Sequence, residues 1–381
     1  MTHSRSSSLR AFQKKTRPRP SAGQAAFCLM STFCLVLILR NAEAAIDYMG
    51  RGLTLCATTV IPSLFPFMVI SELLVSSGAG EAFGRLCSGV MRRIFGLSGA
   101  GASAVFLGSM CGFPVGARTA VALLDKNAIS KSECEHLLTF VNNPSSAFLI
   151  TAVGVSLYGN RKLGIALYGV VLGCGLAVGL LARPLLRKGG SPSEHPHFPS
   201  GLHIGGAETF TGAISSAATG MLTVCAYVIF FSAVTGALSC AVMGHGGTAE
   251  MGYTLLCGLL EMTGGIGQAA TLANGRLGLI LTASFAGWSG LSVHCQVMAL
   301  CGGRGLSFKP YLLAKAVQGV LCGFVTAVLL YWVPELTDPA EGVVTDAILA
   351  FMSMKSFTLP AILTDGVFIL GWVISRVRAP R

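Results

Sequence analysis

The sequence predicts an all-α, polytopic integral membrane protein built from two similar halves. Hydrophobic residues make up 52% of the 381 positions, charged residues only 11%, and the mean hydropathy is +0.69. A soluble domain carries about 25% charged residues, so this composition is typical of a chain that lies in a bilayer. Several apolar runs also reach the roughly 20 residues that a helix needs to cross about 30 Å of hydrocarbon. The clearest are Ala22–Leu39, Leu163–Ala182, Ala213–Met243, Leu277–Cys301 and Tyr311–Val333.

Basic residues are concentrated near both ends of the chain. The tail 1–20 contains Lys and Arg but no acidic residue, and Arg376, Arg378 and Arg381 lie near the other end. Because basic flanks favour the cytoplasmic side, both ends are predicted to lie on that side of the membrane, with an even number of crossings. The net charge of +11 lies in tails and loops. We therefore expect the lipid bilayer as a partner and no nucleic acid.

Composition divides the chain into six segments. The apolar segment 21–44 is predicted to be the first transmembrane helix. A cleaved signal peptide is the alternative, because Ala42-Glu43-Ala44 follows a basic and an apolar stretch. The C-terminal segment contains short apolar stretches that either cross the membrane or lie on it. The other boundaries give a basic tail 1–20, a first repeat 45–186, a polar linker 187–208, a second repeat 209–335 and the C-terminal segment 336–381.

Both repeats contain polar, glycine- or proline-rich breaks within apolar sequence. The first has Phe106–Gly116 and Phe140–Ile150, and the second has Gly258–Gln268 and Phe285–Cys295. Unpaired backbone in hydrocarbon costs several kcal/mol per group, so such breaks persist only where protein or water covers them. Matching interrupted segments in two halves are typical of transporters. The pattern predicts broken or re-entrant helices around a shared cavity.

The opening segment of the first repeat, Leu53–Ser76, also contains two prolines. We expect Pro62 and Pro66 to interrupt it. Glu72, near its end, is read as an interfacial residue.

The first repeat supplies most of the predicted solute-binding residues. Asn143 before Pro144 is typical of a helix start, with Asn143 as the N-cap, so Asn142, Asn143 and Ser145 are predicted to face the cavity. The exposed N–H groups of such a start favour an anionic or carbonyl-bearing solute. A surface turn is the alternative. Gly112 is predicted to form the other break.

Arg118 follows the Gly112 break within about one helical turn. Its guanidinium can bind a solute carboxylate through two parallel hydrogen bonds. The alternatives are a pair with Asp125 or a side chain that extends to the membrane interface.

Glu261 lies in an otherwise uncharged stretch of the second repeat. A carboxylate within a membrane is costly and therefore often functional, so we predict an ion-coupling site. A structural carboxylate at a helix end is the alternative.

The sequence Gly287-Trp288-Ser289-Gly290 matches the G-x-S-G pattern of intramembrane serine proteases. That chemistry needs a histidine on a separate helix, whereas His294 follows only five residues later. Ser289 and Ser292 are therefore predicted to be polar groups of the cavity, and no enzyme activity is expected.

Cysteine and histidine indicate no cofactor and no metal. The 13 cysteines contain no C-x-x-C pair and read as small hydrophobic residues. His195, His197 and His203 fall in the polar linker, where an exposed loop is expected and a metal site is the alternative.

Three stretches resemble the sporulation integral membrane protein YlbJ family, whose members carry a nucleoside-recognition or Gate domain. They are RGLTLCATTVIPSLFPFMVISELL, FLGSMCGFPVGARTAVALL and LLTFVNNPSSAFLITAVG, and EMTGGIG and FAGWSGLSVHCQ match the family more loosely. The resemblance implies two Gate-like halves and a multi-pass transporter or channel for a small polar or anionic solute. It also implies a bacterial cell membrane as the location, and its implied cargo is dipicolinate, moved across the outer forespore membrane during sporulation. A nucleoside transporter, the serine protease and a sporulation scaffold that transports nothing are the alternatives, and homo-oligomers remain open.

Overall fold

The computed structural model of the chain is helical throughout the part that it describes. It contains fourteen α-helices and no β-strand within this part, which confirms the predicted all-α class. The basic tail, most of the polar linker with its three histidines, and the C-terminal segment lie outside it. The described residues are 22–76, 79–186, 207–242 and 247–334.

Eight α-helices precede the linker and six follow it. The first eight are α1 Ala22–Arg40, α2 Ala42–Leu55, α3 Ile61–Ser76, α4 Ala79–Val90, α5 Ala102–Cys111, α6 Val115–Asp125, α7 Lys131–Val141 and α8 Arg161–Leu186. The last six are α9 Ala207–Val242, α10 Gly247–Leu260, α11 Met262–Ala270, α12 Gly275–Trp288, α13 Gly290–Cys301 and α14 Lys309–Trp332. Short segments of other helix types are π-helical Cys56–Val60, Met91–Phe95 and Ala147–Leu157, and 3₁₀-helical Gly99–Gly101.

Four helices in the described part are long and apolar enough to cross a membrane, and six if each of two sharply bent pairs counts as one span. The four are Arg161–Pro184, Thr209–Cys240, Gly275–Cys301 and Lys309–Trp332. The bent pairs are Cys28–Arg40 with Ala42–Thr58, at 99°, and Leu86–Phe95 with Gly99–Cys111, at 98°. Their length and composition match a polytopic membrane protein.

The opening segment of the first repeat differs from its prediction. Helix α3 continues through Pro66, and the irregularity lies before it, in the π-helical Cys56–Val60. Pro62 falls in the first turn of α3, directly after this π-helical segment, and the chain stays helical on both sides of it. The expectation that both prolines interrupt this segment is therefore wrong.

Both halves then follow the same order of elements. A broken pair, α5 and α6, is followed by a second break after α7 and by the long exit helix α8. In the second half, α10 and α11 form one broken pair, α12 and α13 the next, and α14 is the exit helix. All four predicted breaks interrupt helices at their predicted places.

The halves pack together as one bundle. Helix α14 of the second half contacts α7 and α8 of the first, and α9 packs along α2 and α3. Helix α13 contacts α6 as well as α9 and α10. These contacts bring the breaks of both halves into one region of the interior.

Candidate functional site

The two breaks of the first half are in direct contact. Gly112 ends α5 with φ +77° and ψ −168°, a conformation that glycine alone adopts readily. A Cβ placed there would collide with the backbone of Ser145. The N–H of Phe113 donates to the carbonyl of Asn143 over 2.8 Å. Gly112 therefore joins the breaks by close approach, as a structural residue of the site.

The helix that follows the Asn142–Ser145 break is capped by a different residue from the one predicted. The Oγ of Ser145 accepts from the N–H of Phe148 over 3.1 Å, so Ser145 is the N-cap. The Oδ1 of Asn143 instead accepts from Gln318 Nε2 over 2.8 Å, and its Nδ2 donates to the carbonyl of Phe140 over 2.7 Å. The prediction of Asn143 as the N-cap is wrong because side chains from another helix occupy its oxygen.

A buried lysine on α14 holds this break in place. Lys315 is 0% exposed, and its Nζ donates to Asn142 O at 2.9 Å, Gln318 Oε1 at 2.8 Å and Asn143 Oδ1 at 3.4 Å. Lys315 lies within Tyr311–Val333, which the sequence pattern predicts as an apolar run, so its role is not evident from hydropathy alone. The available signal was a polar stripe at helical spacing, formed by Tyr311, Lys315 and Gln318.

Two more buried side chains extend the polar network. The Nδ2 of Asn142 donates to the hydroxyl of Tyr311 over 3.3 Å, and this hydroxyl lies 3.0 Å from His294 Nδ1. Ser289, in contrast, donates its hydroxyl to the carbonyl of Ala286 over 3.4 Å. The serine and histidine on which the protease alternative depends therefore have different partners.

The breaks of the second half are closed locally. Glu261 separates α10 from α11 and is the N-cap of α11, because Oε1 accepts from the N–H of Thr263 at 3.0 Å and Oε2 from that of Gly264 at 2.6 Å. Ser289 and Gly290 turn the chain between α12 and α13 with φ +76° and +81°. Glu261 thus occupies the structural position that the sequence left as the alternative to ion coupling.

Two cavities meet at Glu261. We call the smaller one, of about 70 Å³, the inner cavity and the larger one, of about 610 Å³, the outer cavity. Leu55, Glu261 and Thr263 line both. The polar residues of the inner cavity are Ser145, Glu261, Thr263, Ser292 and Gln296. Those of the outer cavity include Asp47, Tyr48, Arg51, Thr54, Thr58, Ser232, Thr235, Tyr253, Glu261, Thr263, Gln268 and Thr271.

Arg118 lies away from both cavities. It forms an ion pair with Glu72, and its Nη2 donates to Ser216 Oγ at 2.6 Å and Ser216 O at 2.8 Å. Asp125, the alternative partner, pairs with Arg304 instead. Helices α3 and α9 thus supply the partners of Arg118, and its contact with a solute stays a prediction. Glu72, which the sequence predicts to be an interfacial residue, is the ion-pair partner of Arg118.

The structure brings together some predicted site residues and separates others. Ser145, Glu261 and Ser292 line the inner cavity. Gly112, Asn142 and Asn143 form the layer behind Ser145, and buried Ser289 lies at the turn before α13. The inner cavity also contains two polar residues that were missed, Thr263 and Gln296. Gln296 was detectable, since it lies one turn after Ser292 in an apolar helix.

Comparisons with known proteins agree with this picture of a membrane protein. The family model Gate, described as nucleoside recognition, matches residues 57–239, from the π-helical Cys56–Val60 region into α9. The chain is 29% identical, over 385 aligned residues, to the sporulation integral membrane protein YlbJ of Bacillus subtilis (strain 168). That alignment covers 90% of each protein. No solved structure matches the chain. The chain is thus a membrane protein that is similar to YlbJ over nearly its whole length and matches the Gate model over residues 57–239.

Proposed function

We propose that the protein is a transporter or channel for a small polar solute rather than an enzyme. The observation that carries the proposal is the meeting of the two cavities at Leu55, Glu261 and Thr263. The inner cavity reaches break residues of both halves, including Ser145 and Ser292. Glu261 and Thr263 line both cavities, and we infer that a solute passes along them between the outer cavity and the interrupted helices.

The distribution of irregular backbone supports this function. Transporters place solute sites where discontinuous helices of two halves meet, because the freed backbone groups there are available to the solute or to water. Here the N-caps Ser145 and Glu261 belong to different halves and line the same cavity. A purely structural helix bundle has no need of four breaks in one interior region.

We propose dipicolinate as the cargo, with the outer forespore membrane as the place of action. The relative is named a sporulation integral membrane protein, and the family resemblance implies movement of this small pyridine dicarboxylate. A solute of this size fits the outer cavity, which measures about 610 Å³ and has Arg51 among its lining residues. A nucleoside is the second candidate cargo, because the matching family model is described as nucleoside recognition.

A flux assay tests the function directly. The purified protein is placed in liposomes that contain Tb³⁺, dipicolinate is added outside, and the sensitised terbium emission reports its entry. We expect entry to be at least ten times faster than in empty liposomes. Radiolabelled nucleosides are tested in parallel liposomes, and uptake of these alone would assign the second cargo.

A matched pair of variants ties the flux to the cavities. Leu55→Trp places a large side chain where the cavities meet and should reduce the flux at least tenfold. Leu53→Trp is the control, because Leu53 is 59% exposed on the same helix. Wild-type flux through Leu55→Trp, with both variants folded and inserted, would remove the proposed route. Sporulation function that survives Leu55→Trp but fails with loop variants would favour the scaffold alternative.

A further inference from the structure

Helix α13 presents two polar side chains without partners to the inner cavity. Ser292 and Gln296 are four residues apart and therefore lie on one face of the helix. They are 1% and 4% exposed. Within the described part of the chain, Ser292 Oγ and Gln296 Oε1 accept or donate no hydrogen bond. Buried polar atoms are nearly always paired, so these two atoms indicate an occupant.

The volume of the inner cavity limits what that occupant is. An unpaired buried polar group costs about 1–3 kcal/mol, which favours any guest that pairs both atoms. A cavity of about 70 Å³ has room for a few waters or for one small polar head group. The body of a larger solute then remains in the outer cavity, with about 610 Å³ available.

The charges around the inner cavity decide the chemistry of that head group. Among the described residues that line it, Glu261 alone has an ionisable side chain, and none is Lys or Arg. The nearby ammonium of Lys315 already donates to three acceptors, Asn142, Asn143 and Gln318. A free carboxylate would therefore face the Glu261 carboxylate without a cationic partner in the lining.

We propose that Ser292 and Gln296 anchor the solute and that the group they bind is a hydrogen-bond donor. Amide oxygens such as Gln296 Oε1 accept from N–H or O–H groups, and a serine hydroxyl pairs with either kind of partner. The head group is thus an amide, an ammonium or amidinium, or a carboxyl that carries its proton. This inference rests on the proposed function. For a dicarboxylate it means that the carboxyl entering the inner cavity is neutral.

Three compounds with one ring and different head groups test the proposal. Binding of benzamide, benzamidine and benzoate to the purified full chain in lipid nanodiscs is measured by saturation-transfer NMR. Benzamide and the benzamidinium cation are expected to bind at least ten times more tightly than benzoate. Benzoate that binds as tightly as benzamide would overturn the proposal, and so would a lack of binding by all three.

Substitutions at Gln296 locate the binding and its hydrogen-bond direction. Gln296→Met keeps the length and removes the amide, so benzamide should bind at least ten times more weakly. Gln296→Glu keeps an acceptor oxygen, so benzamidinium should bind within twofold of wild type or more tightly. Thr223→Val is the control, because it removes a polar group that lies outside the lining of both cavities, and it should alter benzamide binding less than twofold.

The outcomes separate this inference from the transport proposal. If Gln296→Glu and Gln296→Met weaken benzamidinium binding equally, the acceptor oxygen of residue 296 makes no contribution. That result would contradict the proposal. Unchanged benzamide binding in Gln296→Met would contradict it too. If Gln296→Met does not fold, Ser292→Ala takes its place, with at least a threefold loss of benzamide expected and no loss as the contradicting result. None of these binding measurements depends on flux, so the effect of Leu55→Trp on transport is judged independently.

Discussion

The break after α7 in the first half and the break between α10 and α11 in the second half are stabilised differently. In the first half, Lys315 and Gln318 reach the Asn142–Asn143 backbone and side chain from α14. In the second half, Glu261 caps the helix that follows it directly. The break after α7 thus depends on a helix that is distant in the sequence, because Lys315 lies 173 positions after Asn142. The break between α10 and α11 depends on a residue of its own, Glu261.

The difference links the exit helix of the second half to the site of the first. Movement of α14 relative to α7 must change the hydrogen bonds of Lys315, since these bonds cross between the two helices. Movement of α10 and α11 leaves the cap of Glu261 within α11 intact. The break after α7 is therefore the one whose hydrogen bonds change with the packing of the two halves.

The largest effect is expected from Lys315→Met. The substitution leaves Asn142 O and Gln318 Oε1 buried without their donor, at a cost on the order of 3 kcal/mol in the free energy of unfolding. Thermal unfolding in detergent should show a clear drop of the midpoint. Lys309→Met is the control, because Lys309 is exposed at the start of the same helix. Equal midpoints for both variants would contradict the dependence of this break on α14.

Gly112→Ala should have the second largest effect. Its φ of +77° and the close backbone of Ser145 leave no room for a Cβ, so a loss of about 2–3 kcal/mol is expected. Gly169→Ala, in α8, is the matched control, because a Cβ there meets nothing within 4 Å. That change should be neutral or stabilising by up to about 1 kcal/mol. Wild-type stability and flux in Gly112→Ala would contradict the close contact between Gly112 and Ser145 that joins the two breaks of the first half.

These two sites show how much the sequence could predict. Gly112, Asn143-Pro144 and Ser289 marked the breaks correctly, because turn-forming residues act on their own backbone. The partners of the breaks were missed, since Lys315 reaches Asn142 only when α14 packs on α7.

Arg118 illustrates the same limit of a single sequence. Its charge suggested a solute contact, but the packing of α6 against α3 brings Glu72 to it, 46 positions away. Local patterns therefore predicted where helices end, whereas the ligands and partners of charged side chains depended on tertiary packing.

Glu261 sharpens the comparison from the second half. Glu261→Gln keeps one cap acceptor and removes the charge, so stability should fall by less than about 1 kcal/mol, whereas Glu261→Ala loses the cap and about 1–2 kcal/mol. If Glu261 also couples transport to an ion, Glu261→Gln should weaken the dependence of flux on pH or sodium. Flux with unchanged dependence on both would leave Glu261 as a cap alone.

The smallest effect is expected where the halves meet outside the bundle, at Asp125 and Arg304. Arg304 Nε and Nη2 donate to Asp125 Oδ1 and Oδ2 over 2.7 and 2.8 Å. The hydrogen bond from the guanidinium holds the pKa of Asp125 below its usual value. Because the pKa is lower in the folded than in the unfolded chain, the pair stabilises the protein at neutral pH, and this stabilisation is lost as the pH falls through the folded pKa.

Asp125→Asn should therefore lower the free energy of unfolding at pH 7 by less than about 1 kcal/mol, since both side chains of the pair are partly exposed. Thermal unfolding should show a slightly lower midpoint. The difference from wild type should shrink as the pH falls from 7 toward 3 and as salt is added. Asp47→Asn is the control, because Asp47 pairs with Arg51 inside a single helix and joins no halves. A larger loss in Asp125→Asn than in Lys315→Met would mean that a surface pair, and not the buried lysine, holds the two halves in register.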